Sequence, residues 1–137
     1  MGLYLAVFDD GDELDGVEIG SYEDFSTLRH AIVTNLEAGI AGARFPTLIL
    51  HSDCDGVWTP AEAAALEQEL ETISKELSAL PPIALKTGWQ PEVAKVFNIR
   101  RRTLYDCFFD VDGEPLLERL LGLARLSKGK GCPIMFQ

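Results

Sequence analysis

A long amphipathic helix in the middle of the chain constrains the fold most. Thr59 is suited to cap its N-terminus, Pro60 occupies the first helical position, and Glu62 completes a capping box. Pro81 and Pro82 end it. The apolar residues in between alternate spacings of four and three and so form one seam: Leu66, Leu70, Ile73, Leu77 and Leu80. Because this seam lasts only about two heptads, we expect it to pack on a sheet and not to form a coiled coil.

Short apolar segments predict the strands of that sheet. They are residues 3–8, 17–19, 48–50 and 133–137. An Asp/Gly cluster between the first two predicts a loop or hairpin. Further helices are expected after Ser21, with Asp24 in the capping-box position, and from Pro115. The sequence thus predicts one compact α+β domain over residues 1–137, with a mostly antiparallel or mixed sheet of about four strands packed by three to four helices.

Several signals place the chain in a reducing cytosol. The apolar run at residues 3–8 lacks a basic flank and is too short for a secretion signal. No segment is long enough to cross a bilayer, so we expect no membrane association. The three cysteines are an odd number without metal-type spacing, which argues against a disulfide framework or a zinc site. No cofactor-binding motif is present, and we expect no cofactor.

The acidic side chains are concentrated in the first part of the chain. Residues 1–85 contain 16 carboxylates and 3 cations, and residues 9–24 contain eight carboxylates and no cation. Such a surface repels nucleic acid and attracts a basic protein partner. A loop at residues 53–58, which follows the strand predicted at 48–50, is a second candidate surface, and an exposed aromatic residue could anchor the partner. The candidate partner-binding residues are Asp9, Asp10, Asp12, Glu13, Asp15, Tyr22, Asp53, Asp55 and Trp58.

Two rival functions remain open at this point. Residues 91–109 resemble a helix-turn-helix whose second helix would carry Arg101 and Arg102, although the formal net charge of −10 weighs against DNA binding. If those residues are not a DNA-binding motif, we expect the apolar side chains to pack and the arginines to pair with carboxylates; the apolar residues are Val93, Val96, Phe97 and Leu104. Two Asp-x-Asp-Gly loops, at 53–56 and 110–113, would suit a metal-dependent enzyme if they converged, but neither contains the full calcium-loop pattern.

No catalytic group stands out. His51 lies beside Ser52, but adjacent residues on an extended chain point to opposite sides. We therefore expect His51 to be a structural residue at the end of a strand, and we expect no enzyme activity.

The chain resembles a family of predicted immunity proteins from bacterial polymorphic toxin systems over nearly its full length. The stretches that carry the resemblance are residues 2–5, 16–25, 44–47, 51–58, 109–116 and 133–137. The resemblance implies a cytoplasmic, non-catalytic protein that binds a toxin and blocks it. It identifies no interaction residues, so the candidate site depends on the loops and charges of this sequence.

Overall fold

The fold is a four-stranded antiparallel sheet with helices packed on one face. The computed structural model describes residues 2–52, 55–85 and 88–137. In these ranges the strands are β1 (Gly2–Asp9), β2 (Asp12–Ser21), β3 (Val57–Trp58) and β4 (Ile134–Phe136), in the spatial order β2-β1-β4-β3. The predicted α+β class, the strand number and the terminal strand are confirmed.

The hairpin between β1 and β2 is longer than the sequence suggested. Asp10 and Gly11 form a two-residue turn with φ angles of 50° and 85°, and Asp9 pairs with Asp12 directly beyond it. Positive φ at both turn residues gives a twist that matches the strands, and an Asp-Gly pair tolerates it. The second strand therefore begins at Asp12, and the expectation that it covers only residues 17–19 was too short.

Two helix starts follow the capping chemistry expected for them. The helix α1 (Tyr22–Leu36) has the reciprocal capping box of Ser21 and Asp24. The helices of the described ranges continue with α2 (Pro46–Ile49), α3 (Pro60–Leu77), α4 (Trp89–Val96) and α5 (Leu116–Lys130). Thr59 and Glu62 form the capping box of α3, whose seam is buried over Leu66, Leu70, Ile73 and Leu77. Each capping box satisfies backbone N–H groups that have no partner within the helix.

The strand predicted at residues 48–50 is wrong, since these residues belong to or directly follow the single helical turn α2. Pro46 starts this turn, and the backbone N–H groups of Thr47 and Leu48 donate to the Glu69 carboxylate of α3 at 3.2 and 3.1 Å. Leu48 is fully buried. A three-residue apolar run fits a buried strand or a buried helical turn equally well, and here a carboxylate 21 residues away stabilises the turn.

The helix-turn-helix expectation is also wrong. After α4, Asn98 has a φ of 52° and the chain becomes irregular, and the next element is a 3-10 turn at Leu104–Cys107. The Asp106 carboxylate accepts from the backbone N–H groups of Arg102 and Thr103, which begins this turn instead of a recognition helix. Arg101 and Arg102 therefore lie on an exposed irregular segment.

The packing expected around α4 is only partly found. Leu104 is buried and Val93 is half-buried, but Val96 and Phe97 are 72% and 54% exposed, so the prediction is wrong for these two. Arg100, Arg101 and Arg102 also form no ion pair among the described residues. The helix α4 thus contributes no fully buried side chain.

The hydrophobic core lies between the helices and one face of the sheet. On β1 this face carries Leu3, Leu5 and Val7, all fully buried. Register places Val17 and Phe136 beside Leu5, and both belong to the same core. The helices contribute Phe25, Leu28 and Ile32 from α1, the seam of α3, and Leu117, Leu120 and Leu123 from α5. The domain therefore has two layers, and the opposite face of the sheet lies outside this core.

Candidate functional site

The acidic hairpin, defined here as Asp9, Asp10, Asp12, Glu13 and Asp15, projects from one end of β1 and β2. Asp9, Asp10 and Asp12 are exposed, and none forms an ion pair within the described ranges. Three carboxylates at the tip of one hairpin give a strongly negative local potential that attracts cations and basic surfaces.

Arg119 of α5 holds the base of the acidic hairpin in place. Its guanidinium donates to the Gly16 carbonyl oxygen at 2.6 Å and lies 3.4 Å from the Asp15 carboxylate. The Nε of Arg119 also lies 3.5 Å from the buried Asp110 carboxylate. This arginine joins the hairpin to the loop at residues 110–113, and the sequence offered no signal for it because it lies 104 residues from Asp15.

Tyr4 links the hairpin to the neighbouring surface. Its hydroxyl donates to the Glu13 carboxylate at 2.9 Å, and a β-carbon at position 16 would collide with its ring, so Gly16 leaves room for it. Burial raises the pKa of the Tyr4 hydroxyl, and its hydrogen bond to Glu13 and the charges of Glu13 and Asp15 raise it further. Tyr4 is therefore a neutral hydrogen-bond donor near pH 7 that orients Glu13.

The open face of the sheet, defined here as Tyr4, Ala6, Phe8, Val57 and Met135, lies next to the acidic hairpin. Register places Ala6 beside Gly16 and Met135, and Met135 beside Val57, so these residues share one face. Phe8 is opposite Glu13. None of the five belongs to the contiguous core cluster; Ala6 is fully buried, Tyr4, Phe8 and Val57 are half-buried, and Met135 is 36% exposed. An apolar face bordered by carboxylates is typical of a protein-binding surface.

The remaining predicted site residues do not join this surface. Trp58 is 1% exposed and its indole N–H donates to the Thr47 carbonyl at 3.0 Å, so the condition that it be exposed to anchor a partner is not met. Tyr22 is half-buried and packs against the core. Asp55 is exposed beside β3, at the edge of the sheet opposite to β2. Asp53 and Cys54 lie outside the described residues.

The described residues of the two Asp-x-Asp-Gly loops lie at opposite edges of the sheet. Asp55 and Gly56 precede the edge strand β3, whereas Val111 donates its N–H to the Glu18 carbonyl of β2 at the other edge. The Asp110 carboxylate accepts from the backbone N–H groups of Asp112 and Glu114, which makes it a turn-forming group. In the ranges described, no three His, Cys, Asp or Glu residues are grouped as they would be to hold a metal ion.

The contacts of the His51 ring indicate a structural role. Its ring nitrogens lie 2.8 Å from the carbonyl oxygens of Ser52 and Val57, and its ring stacks on Phe136 with centroids 4.4 Å apart. It follows the helical turn α2 and not a strand, which corrects that part of the expectation.

Comparison with known proteins identifies the family. The family model described as immunity protein 70 matches residues 3–136, almost the whole chain. The chain belongs to the immunity protein 70 family. No curated protein and no solved structure matches it. In the described parts of this immunity protein 70 chain, the search for a helix both long enough and apolar enough to span a membrane finds none.

The immunity protein 70 chain also has a small cavity of about 110 Å³ on the side of the helices. Asp24, Trp89 and Phe109 contribute to its wall. The Asp24 carboxylate accepts from the Trp89 indole at 2.9 Å and from the Gln90 amide at 2.6 Å, in addition to the Ser21 backbone N–H. The hydrogen bonds of Asp24 are thus used to attach α4 to α1 and to cap α1.

We expect Asp24 to make the stability of the immunity protein 70 chain pH-dependent. Burial acts to raise the pKa of Asp24, but hydrogen bonds from Ser21, Trp89 and Gln90 outweigh it, and the net pKa is lowered. The stabilisation is therefore present above the ordinary aspartate pKa of about 4 and is lost as the pH falls through the lower folded value. Denaturant unfolding of wild type and Asp24→Asn between pH 2 and 7 measures this. The free energies of unfolding of wild type and Asp24→Asn should become equal at the lowest pH. The same difference between them at every pH would contradict the role assigned to the Asp24 carboxylate.

Proposed function

We propose that this chain is a cytoplasmic immunity protein that binds a cognate toxin and neutralises it without catalysis. The acidic hairpin is the part that steers it onto a basic toxin surface, such as that of a nuclease. The observation that supports this most directly is the exposure of Asp9, Asp10 and Asp12, none of which forms an ion pair within the described residues. Membership of the immunity protein 70 family supports the toxin-binding role.

The physical argument concerns the rate of association. A toxin that cuts nucleic acid needs a basic surface to hold phosphates, and that surface attracts a carboxylate cluster for the same reason. Complementary charge raises association rates by about 10- to 1,000-fold at low salt. An acidic inhibitor can then cover the substrate site before the toxin reaches nucleic acid.

Growth rescue tests the function itself. Candidate toxin genes from the same genome are expressed one by one in a surrogate bacterium, with and without this chain. We expect one toxin to stop growth alone and to be tolerated when this chain is present, and the purified pair to form a 1:1 complex. If no candidate toxin is neutralised and none forms a complex, the proposed function is wrong.

Neutralising the hairpin tip tests its role in steering. We expect Asp9→Asn, Asp10→Asn and Asp12→Asn together to slow association with that toxin about tenfold at low salt and to flatten the salt dependence, because three attractive charges are removed. Asparagine tolerates the turn conformation, so the hairpin should remain folded. Stopped-flow fluorescence over a salt series measures the rate.

The matched control removes the same charge elsewhere. Glu92, Glu114 and Glu118 are exposed, form no ion pair within the described residues and lie outside the hairpin. Changing these three to glutamine alters the net charge equally, so a comparable slowing would show that only the total charge matters. Unchanged association in the hairpin variant would remove the steering role while leaving neutralisation itself intact.

A further inference from the structure

We propose that the toxin docks on the open face of the sheet, with Phe8 and Met135 as its apolar anchors. The inference rests on the proposed function and adds the surface to it. The acidic hairpin would then lie at the edge of the interface, and the apolar side chains of the face would form its centre.

The sequence alternation explains why this face is apolar. On β1, Leu3, Leu5 and Val7 point into the core, so Tyr4, Ala6 and Phe8 point away from it. A sheet face exposed to water normally carries polar residues at these positions. Here it carries two aromatic residues, and Met135 lies beside Ala6 at 36% exposure. Aromatic and methionine side chains are the types enriched at the centres of protein interfaces.

The size of the face fits part of an interface. Four strands spaced at 4.8 Å span about 15 Å, and six residues of β1 span about 20 Å, which gives roughly 300 Å² as an upper bound because β3 and β4 have only two and three residues. A standard interface buries about 800 Å² on each partner. The face therefore suffices for a central patch, and the hairpin and the rims of the sheet must supply the rest.

Charge decides which partner fits. Glu13 lies opposite Phe8 and Glu18 lies opposite Tyr4, so carboxylates border the apolar side chains along β2. A second copy of this chain would bring the same carboxylates against each other, and nucleic acid would bring phosphates, so both are repelled. A protein that carries cations around an apolar centre is complementary to this face. We assign this partner as the toxin.

Strand addition at the β2 edge is a less suitable mode of binding. Two carbonyl groups of that edge are already used, because Gly16 accepts from Arg119 at 2.6 Å and Glu18 accepts from the Val111 N–H at 3.4 Å. A partner strand would have to displace both. Binding across the face of the sheet leaves these bonds intact.

Truncating the anchors tests the inference. The toxin found by growth rescue, inactivated at its catalytic site, is immobilised, and binding of Phe8→Ala and Met135→Ala is followed by surface plasmon resonance. We expect each change to raise the dissociation rate at least tenfold and to leave the association rate nearly unchanged. The hairpin-tip variant should instead associate more slowly and dissociate at nearly the wild-type rate.

The controls separate binding from folding. Ile40 and Val96 are 66% and 72% exposed and lie outside the open face, so Ile40→Ala and Val96→Ala remove comparable apolar groups and should dissociate like wild type. Thermal unfolding shows whether each variant is folded. A photocrosslinking residue at position 135 should also join covalently to the toxin, and one at position 96 should not.

The outcomes are distinguishable. If wild type binds the toxin and both anchor variants dissociate at its rate, or the crosslink forms only from position 96, the docking surface is wrong and the proposed function stands. If wild type binds no toxin at all, the proposed function fails and the inference fails with it.

Discussion

Replacing Trp58 by alanine should lower the free energy of unfolding by about 3–5 kcal/mol, the usual cost of removing a large buried aromatic side chain. The indole is 1% exposed and packs edge-on against Phe136 with ring centroids 4.8 Å apart. It also donates to the Thr47 carbonyl, which would be left without this partner. Guanidinium unfolding followed by circular dichroism measures the loss.

The conservative variant separates the two contributions of the indole. Trp58→Phe keeps most of the apolar packing and removes the N–H, so it should cost less than Trp58→Ala, with about 1 kcal/mol from the hydrogen bond. If Trp58→Ala unfolds like wild type and instead loses toxin binding, Trp58 would be a surface anchor and its buried position would be contradicted.

The local parts of the fold were predictable because their signals are local. The capping boxes of α1 and α3 each involve two residues three positions apart, and both are present as expected. The seam of α3 follows from helical periodicity, and the last strand from a short apolar run after α5. Such features need no knowledge of what lies elsewhere in the chain.

The errors arise where a carboxylate that was not considered binds the backbone, in one case from a distant residue and in the other from only three positions away. Residues 48–50 were assigned to a strand because the Glu69 carboxylate, which binds the turn α2, cannot be anticipated from the run itself. The second helix of the supposed DNA-binding motif fails because Asp106 caps a 3-10 turn at Thr103. In both cases one carboxylate satisfies backbone N–H groups of a turn, and this stabilises the turn in place of the predicted strand or helix.

The candidate site likewise has a part that the sequence predicted and parts that it did not. The sequence alone locates the acidic carboxylates, since all five fall within the seven residues 9–15. The open face was missed because β1 is apolar on both sides, and periodicity cannot then say which side the helices cover. Arg119 was missed because only the folded chain brings it to Gly16.

Glu37 supports the second large prediction, which concerns the loop between α1 and α2. Its carboxylate is 3% exposed and accepts from the backbone N–H groups of Gly42, Arg44 and Phe45 at 3.1, 2.8 and 2.9 Å. Removing it leaves three donors without their partner, so Glu37→Ala should cost about 3–4 kcal/mol, given the typical cost of unsatisfied buried groups.

Glu37→Gln provides the control that isolates the carboxylate from the size of the side chain. An amide keeps one acceptor oxygen but turns an NH₂ group toward a backbone donor, so it should lose about 2 kcal/mol, more than half of the alanine effect. Urea unfolding measures both variants, and hydrogen exchange should show faster exchange at residues 42–45 in each. If Glu37→Gln is as stable as wild type, the negative charge is not needed to order this loop.

The loop leads into α2, which packs on α3 and supplies the carbonyl bound by Trp58. We therefore expect the effects of substituting Glu37 and Trp58 together on the free energy of unfolding to be non-additive.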